Sequence, residues 1–355
     1  MKPLVEAAPR DTSLFTQSQT PPSIVNTLPC SRWSRFVAEH PDGNIFNTPE
    51  MFEVFRHSRG YDPELWAAVD GARILALFVP VRVSLCDGPL RPFVTRAIAY
   101  GGVLAAPGEE GAWAVTRLLK TYKRHVSGVP LFTELRHLSD SSALQSVLKD
   151  RGFSFSPQMN YLVDLARPPE AIMASISYRT RRHIRHGLRK GTVTIREAEG
   201  PEQIAHCYDL LSRTYKAAGV PLADRSLFDA ACKVLRPKNM IRCTLAWVGS
   251  TPVAVSIDLL YRETVYGWYG GVDRAFGADN PNELLTWHVF EWGSTHGYRR
   301  YDWGGAGVPG KAYGVRDFKS KFGGEEVSFG RNVCIHAPFR FRLSSAVYKV
   351  CRRWL

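Results

Sequence analysis

The alternation of hydrophobic and polar positions predicts a mixed α/β chain, and the pattern is clearest over residues 265–324. A β-like run at 265–269 ends at two glycines and is followed by a polar loop. Residues 281–297 then predict an amphipathic helix, because proline occupies its first position and glycine its last. Residues 299–303 predict the next strand. Strand, loop, helix and strand in this order indicate a β-α-β crossover.

This order of elements occurs twice along the chain. Tyr-Gly-Gly-Val stands at 100–103 and again at 269–272, each time after a predicted hairpin and before a helix and a strand. The predicted elements of the first half are strands at 65–70, 74–83 and 131–135 and a helix at 109–125, and the second hairpin is predicted at 244–249 and 253–260. A repeated order together with a repeated tetrapeptide indicates internal duplication of one α/β unit.

Between the two halves, residues 168–191 predict one basic helix that begins at two prolines and ends at a glycine. Residues 179–190 contain six arginine and lysine side chains and no acid. Like charges four residues apart destabilise a helix unless something neutralises them. These basic side chains therefore predict either a solvated helix face or an anion-binding face. The candidate anion or tRNA ligands on it are Arg181, Arg182, Arg185 and Arg189.

Composition and charge narrow the class of protein. The chain has 355 residues, 45% of them hydrophobic, and its net charge of +13 favours an anionic partner such as RNA, phosphate groups or anionic lipid. Seven cysteines without a C-x-x-C pair indicate reduced thiols in a cytoplasmic protein, and neither a disulfide framework nor a metal site is expected.

The beginning of the chain shows no signal-peptide pattern, and the longest apolar run, 74–81, is too short to cross a bilayer. A basic amphipathic helix predicted at 339–355 packs on its own domain or touches the inner membrane surface.

Two short motifs resemble ligand sites but lack the context that such sites need. Residues 305–310 fit G-x-G-x-x-G, and the sequence through Lys311 nearly fits a phosphate-binding loop. Ala312 occupies the position where such a loop needs a hydroxyl, and no apolar period follows it. His183 and His186 have no nearby acid or cysteine pair, so the sequence predicts no zinc site.

A set of ordered motifs resembles the FemAB-like branch of the GNAT acyltransferases. The motifs are Ser-Tyr-Arg-Thr-Arg-Arg at 177–182, Tyr-Gly-Gly at 269–271, Asn-Glu-Leu-Leu-Thr-Trp at 282–287, Tyr-Asp-Trp-Gly-Gly at 301–305 and Phe-Lys…Phe-Gly-Gly at 318–324. The resemblance is specific from about 162 to 331. Residues 216–224 lack the Arg-Asp pair that we associate with muropeptide binding in the Fem ligases, so the resemblance does not extend to that acceptor.

The resemblance implies an α/β fold of two tandem GNAT-like domains, each a mixed twisted sheet flanked by helices. It also implies acyl transfer to an amine without a covalent enzyme intermediate, with the active site in the second domain and acceptor contacts from the first. The predicted segments are a flexible arm at 1–29, a first domain at 30–165, a basic linking helix at 166–191, a second domain at 192–335 and a basic C-terminal helix at 336–355.

Acyl transfer to an amine needs a proton acceptor, a stabilised oxyanion and aligned partners. Lys319 matches the Fem-type lysine that follows an aromatic residue, which implies that its ammonium holds the oxyanion or a donor phosphate. An ordinary surface lysine is the alternative. Asp302 lies at the end of a predicted strand, where it accepts the amine proton, fixes the acceptor or makes only a capping or structural hydrogen bond. Trp268 and Tyr269 are candidates for the wall of the cleft, with core packing as the alternative. Further candidates for substrate contacts are Tyr301, Trp303, Phe318 and Arg179.

The acyl donor stays open between two classes of molecule. An acetyl-CoA enzyme places a glycine-rich loop at the start of the helix that holds the pyrophosphate, but residues 273–283 contain three acids and a proline there. The basic helix favours aminoacyl-tRNA, and acyl-CoA or an acyl carrier is the second hypothesis. No further cofactor and no DNA partner are expected. A non-enzymatic nucleic-acid-binding protein is the third hypothesis, which would leave Asp302 and Lys319 without a role.

Overall fold

The computed structural model describes residues 21–84, 88–126, 128 and 130–351, with side chains up to residue 346. Its helices are α1 Cys30–Glu39, α2 Pro49–Arg56, α3 Arg91–Val94, α4 Gly108–His125, α5 Gln145–Asp150, α6 Pro169–Ser175, α7 Tyr178–Lys190, α8 Gly200–Ala217, α9 Arg225–Leu235, α10 Pro281–Thr295, α11 Gly314–Lys319 and α12 Pro338–Cys351. Its strands are β1 Ser23–Val25, β2 Tyr61–Pro63, β3 Trp66–Asp70, β4 Arg73–Phe78, β5 Val81–Ser84, β6 Thr95–Ala99, β7 Val103–Ala105, β8 Phe132–Arg136, β9 Ser154–Ser156, β10 Asn160–Asp164, β11 Val193–Glu197, β12 Ile241–Val248, β13 Thr251–Tyr261, β14 Thr264–Val272, β15 Arg300–Asp302, β16 Glu325–Val327 and β17 Arg331–Ile335.

Two units of the same topology make up the chain, which confirms the predicted tandem fold. The second unit has one seven-stranded sheet in the order β11-β12-β13-β14-β15-β10-β16, and the first has sheets β1-β3-β4-β7 and β2-β5-β6-β8-β17-β9. In the second unit β14 pairs from end to end with β13 and runs parallel to β15. In the first unit β4 and β5 pair with β7 and β6, and β6 runs parallel to β8. The long hairpin of the second unit is therefore split into two in the first.

The two Tyr-Gly-Gly-Val segments occupy corresponding places in this topology. The first forms the turn between β6 and β7, where Gly102 adopts a φ of +71° that glycine tolerates best. Its valine pairs with Phe78 on β4. The second segment ends β14, and its valine pairs with Ala254 on β13. The repeat in sequence thus reflects a repeat in structure.

The two units exchange one strand each. After the edge strand β9 of the first unit, the chain crosses over and β10 inserts between β15 and β16 of the second sheet. After the edge strand β16 of the second unit, β17 inserts between β8 and β9 of the first sheet. The predicted limits put residues 160–164 in the first domain and residues 331–335 in the second. In the structure 160–164 belong to the sheet of the second unit and 331–335 to that of the first.

Two predicted segments differ from the structure near the units' beginnings. The single helix predicted at 168–191 is two helices, α6 and α7, because Ile176 is extended and the amide of Ser177 donates to the carbonyl of Lys321 at 2.8 Å. Part of the predicted flexible arm, 1–29, is ordered, since β1 pairs with β3. Residues 1–20 lie outside the described part of the chain.

The units share a buried core that fixes the cleft between them. Val81, Val83 and Ile98 of the first sheet pack in one cluster with Phe228 and Ile257 of the second unit. Helix α10 covers the other face of the second sheet, where Phe290 is fully buried. None of the described helices is long and apolar enough to cross a membrane. At the other end of the chain α12 exposes 80% of Phe339, and its contact with a membrane surface stays a prediction.

Candidate active site

The candidate site lies where β15 ends, on the face of the second sheet that looks toward the first unit. Asp302 is the last residue of β15 and neighbours Tyr266 on the parallel strand β14. The ring of Tyr266 packs edge-on against Phe46 of the first unit, with ring centroids 6.3 Å apart. Side chains on this face of β15 therefore point into the cleft between the units.

Asp302 is buried and held by one of its two oxygens. Its Oδ1 accepts hydrogen bonds from Asn160 Nδ2 at 2.7 Å and from the amide of Gly304 at 2.8 Å. The second bond requires the left-handed turn at Gly304, whose φ is +76°. Among the described residues Oδ2 accepts no hydrogen bond. Burial raises the pKa of Asp302, which makes it a better proton acceptor than an exposed aspartate.

Lys319 is half-buried at the end of α11, and its ammonium points back toward the strand end. Nζ donates to the carbonyl oxygens of Trp303 and Gly305, each at 2.7 Å, and lies 5.7 Å from the centroid of the Trp303 ring. Burial lowers the pKa of Lys319 to about 8, and the carboxylate of Asp302 acts in the opposite direction. An ammonium has three N–H bonds, so one remains for a ligand beside the two carbonyls.

Tyr301 and Trp303 face away from the cleft. Side chains alternate along a strand, so the neighbours of Asp302 point into the core under α10. There Tyr301 packs against Phe290 with centroids 4.9 Å apart, and Trp303 packs against Phe290 and Phe322. Both rings lie in this buried core and not at the cleft, away from the substrate contacts that were predicted for them. Trp303 still contacts Lys319, because its carbonyl accepts a hydrogen bond from Nζ and its ring lies next to the ammonium.

The other aromatic candidates take different positions around the cleft. Phe318 is half-buried between Trp303 and Phe322. On β14 the pairing with β13 slips by one residue at Trp268, and such a bulge redirects the side chains beside it. Tyr269 packs against Phe228 at 4.8 Å and Tyr215 at 5.9 Å. It also lies close enough to Arg136 of the first unit to affect that residue's pKa, which places Tyr269 at the cleft.

Helix α7 begins beside the segment that carries Lys319. The amide of Ser177 bonds to the carbonyl of Lys321, two residues after Lys319. Four of the five arginines predicted on this helix as ligands are exposed: the substrate candidate Arg179 and the anion candidates Arg182, Arg185 and Arg189. Arg181 differs, since its Nη1 donates to the carbonyl of Ala174 at 2.6 Å and is used to hold the end of α6. Lys190 pairs with Asp279 at 2.8 Å.

Several polar residues at the cleft were missed by sequence reasoning. Asn160 binds Asp302 but lies 142 residues away, on the exchanged strand β10. On the first sheet, Glu134 accepts hydrogen bonds from Arg136 and Arg331. Neither set forms a local motif. The one signal available in the sequence is that Arg136 ends a strand and Arg331 begins one.

Comparisons with known proteins agree with this fold. Residues 174–320 match the family model of the acetyltransferase (GNAT) domain. Among solved structures, the chain is similar to FemX, with 14% identity and a TM-score of 0.71 over 90% of this chain and 99% of that one. It is also similar to a tandem GNAT protein from the clavulanic acid biosynthesis pathway, with 12% identity and a TM-score of 0.55 over 88% and 98% of the chains. No curated protein matches the chain by sequence.

A third similar structure is the C-terminal domain of a putative lysylphosphatidylglycerol synthetase from Agrobacterium fabrum. It shows 12% identity and a TM-score of 0.56 over 90% of this chain and 95% of that one. At these identities the structural matches establish the fold. Together with the family match to residues 174–320, they show a tandem GNAT-like fold like that of FemX, and the second unit of this chain matches the acetyltransferase (GNAT) domain.

Proposed function

We propose that the protein transfers an aminoacyl group from aminoacyl-tRNA to an amine acceptor bound in the cleft at Asp302 and Lys319. The acceptor nitrogen attacks the ester carbonyl, a new C–N bond forms, and the ester C–O bond breaks. Asp302 takes the proton that the nitrogen loses and passes it to the departing tRNA oxygen, which leaves as a hydroxyl. The free N–H of Lys319 stabilises the negative charge on the carbonyl oxygen in the transition state.

The observation that carries the choice of donor is the position of the exposed basic helix. Arg182, Arg185 and Arg189 point into solvent, and the beginning of the same helix is hydrogen-bonded to the segment that holds Lys319. A polyanion bound along α7 would thus be anchored next to the reacting group. Exposed arginines without acidic partners are the usual means of binding nucleic-acid phosphates.

An acyl-CoA donor is the second candidate, and the description of the matching family, an acetyltransferase, favours it. Its pyrophosphate would need the beginning of α10, which follows β14. That region carries the carboxylates of Asp273, Asp279 and Glu283. The first two are paired with Arg213 at 3.1 Å and Lys190 at 2.8 Å, so these cations are already engaged. Pro281 at the first helical position also lacks an amide that a phosphate could use.

The test is a donor and acceptor screen read by mass spectrometry. The purified protein is incubated with a mixture of charged tRNAs or with acetyl-CoA, each against the same panel of amines. The proposal expects an aminoacylated amine with charged tRNA and no acetylated amine with acetyl-CoA. Acetylated product from acetyl-CoA, with charged tRNA left unreacted, would replace the proposal with the second candidate. A Lys319→Met variant assayed in parallel separates enzymatic product from spontaneous aminolysis.

A further inference from the structure

Three arginines converge on the cleft from the first unit. Residues two apart on a strand share a face, and Ile98 of β6 neighbours Glu134 of β8, while Arg136 of β8 neighbours Arg331 of β17. Arg96, Glu134, Arg136 and Arg331 therefore lie on one face of the first sheet. Val83, which pairs with Arg96, and Ile98 are buried there against the second unit.

The charges in this group do not balance. Glu134 supplies one carboxylate, whose Oε1 accepts from the guanidinium groups of Arg136 and, at 3.2 Å, of Arg331. The three arginines carry three positive charges, and all three side chains are partly buried. The Nε of Arg96 is buried without a hydrogen-bond partner among the described residues. Buried charge without a counter-charge costs free energy, so stability alone does not explain this arrangement.

The group borders directly on the proposed reaction site. Gly305 lies between the two, since its carbonyl accepts from Lys319 at 2.7 Å and a Cβ placed on it would lie 3.8 Å from Nη2 of Arg331. The absence of a side chain at Gly305 therefore leaves the space between Arg331 and Lys319 open. Tyr269 and Tyr313 of the second unit lie close enough to Arg136 and Arg331 to affect their pKa values.

We infer that Arg96, Arg136 and Arg331 form an anion pocket that binds a carboxylate or phosphate group of the acyl acceptor. The inference rests on the proposed acyl transfer and adds the acceptor's chemical class, a small molecule with an amine at one end and an anionic group at the other. Planar guanidinium groups bind carboxylates and phosphates through paired hydrogen bonds. The bound anion supplies the missing counter-charge and holds the amine toward Asp302 and Lys319.

Anion binding can be tested without turnover. Thermal protection by inorganic phosphate and by succinate is measured at constant ionic strength for the wild type and for Arg331→Gln, Arg96→Gln and Arg299→Gln. The first two changes remove pocket charges, and Arg299 is a matched control because its side chain is 64% exposed and lies outside the pocket. We expect protection of the wild type and the control, with affinity reduced about tenfold or more in both pocket variants.

Two further variants sharpen this binding test. Glu134→Gln removes the carboxylate that bonds Arg136 and Arg331 and is expected to tighten anion binding, because its competing negative charge is gone. The Nε of Arg96 has no hydrogen-bond partner among the described residues, so Arg96→Gln is the second pocket variant if Arg331→Gln does not fold. Equal protection of all variants would overturn the inference. So would loss of protection only in an α7 variant, Arg182→Gln/Arg185→Gln/Arg189→Gln, which would place the anion site on that helix.

Activity measurements then identify the anion. Glycine is compared with glycinamide, and O-phosphoethanolamine with ethanolamine, as acceptors for the donor that the screen identifies. The charged member of one pair is expected to have the lower KM, and Arg331→Gln should raise that KM about tenfold without changing the KM of the neutral partner. Equal use of charged and neutral amines would overturn the inference. Phosphate binding lost in the pocket variants without turnover of any amine would support the pocket and count against the proposed function.

Discussion

The Nζ of Lys319 donates a 2.7 Å hydrogen bond to the main-chain carbonyl of Trp303, the residue that follows Asp302. This bond ties the end of α11 to the end of β15, so that the lysine and the aspartate occupy the same side of the cleft. Burial favours the neutral form of each, which raises the pKa of Asp302 and lowers the pKa of Lys319 to about 8.

Lys319→Met is expected to reduce kcat/KM by about 10²–10³, the usual effect of losing one donor to an oxyanion. Lys321→Met is the matched control, because Lys321 is exposed two residues away and only its carbonyl takes part in the fold. The two variants are compared by initial rates and by melting temperature. Similar rates in both would remove Lys319 from the chemistry.

The pH dependence of kcat should show a limb near the pKa of Lys319. If the protonated ammonium stabilises the oxyanion, activity falls as pH rises through about 8. Lys319→Arg keeps the positive charge above that pH, since a guanidinium does not lose its proton in this range. The variant should therefore lose the alkaline limb even if its maximal rate is lower. An unchanged limb would assign the titration to another group.

The acidic limb should belong to Asp302 if it accepts the amine proton. Its pKa is raised by burial, so activity should begin to rise at a higher pH than an exposed aspartate would allow. Asp302→Asn should lower kcat and abolish this limb, while the amide can still accept from Asn160 and Gly304. If the variant loses only stability and keeps its pH profile, the role of Asp302 is structural.

Changes on α7 should affect the donor and leave the acceptor alone. Arg182→Gln/Arg185→Gln/Arg189→Gln is expected to weaken RNA binding and to reduce its salt slope by about 0.7 per lost phosphate contact for single-stranded regions and about 0.9 for duplex. The control changes Arg56, Arg73 and Arg299 to Gln, which removes the same charge from exposed side chains elsewhere. Equal effects of the two triple variants would mean that α7 contributes to RNA binding only through the net charge of the protein.

The exchanged strands predict that the two units unfold together. Asn332 lies on β17 but its buried amide bonds to His137 and Gln145 of the first unit, at 2.7 and 2.9 Å. Asn332→Ala should destabilise the protein by about 1–3 kcal/mol in urea, because buried partners lose their hydrogen bonds. Ser328→Ala, at an exposed position just before the strand, should have little effect. Two separate transitions, of which only one shifts, would contradict the coupling.

Local patterns predicted the elements well where the chain supplies its own boundaries. The helix at α10 follows from Pro281, and the hairpins follow from alternating runs with tight turns. The exchange of β10 and β17 was not predictable, because both are short strands whose partners lie far along the chain. The arginine pocket was missed for the same reason, since its members come from three strands that only the sheet brings together.

Single-turnover consumption of labelled aminoacyl-tRNA tests the central claim most directly. The protein is mixed in excess over charged tRNA, with and without an amine acceptor, and the remaining ester is followed in acid-quenched samples. Acceptor-dependent loss of the ester, matched by labelled amide and slowed about 10²–10³ by Lys319→Met but not by Lys321→Met, is the predicted result. Stable aminoacyl-tRNA throughout, while acetyl-CoA is consumed by the same protein and acceptor, would contradict the account.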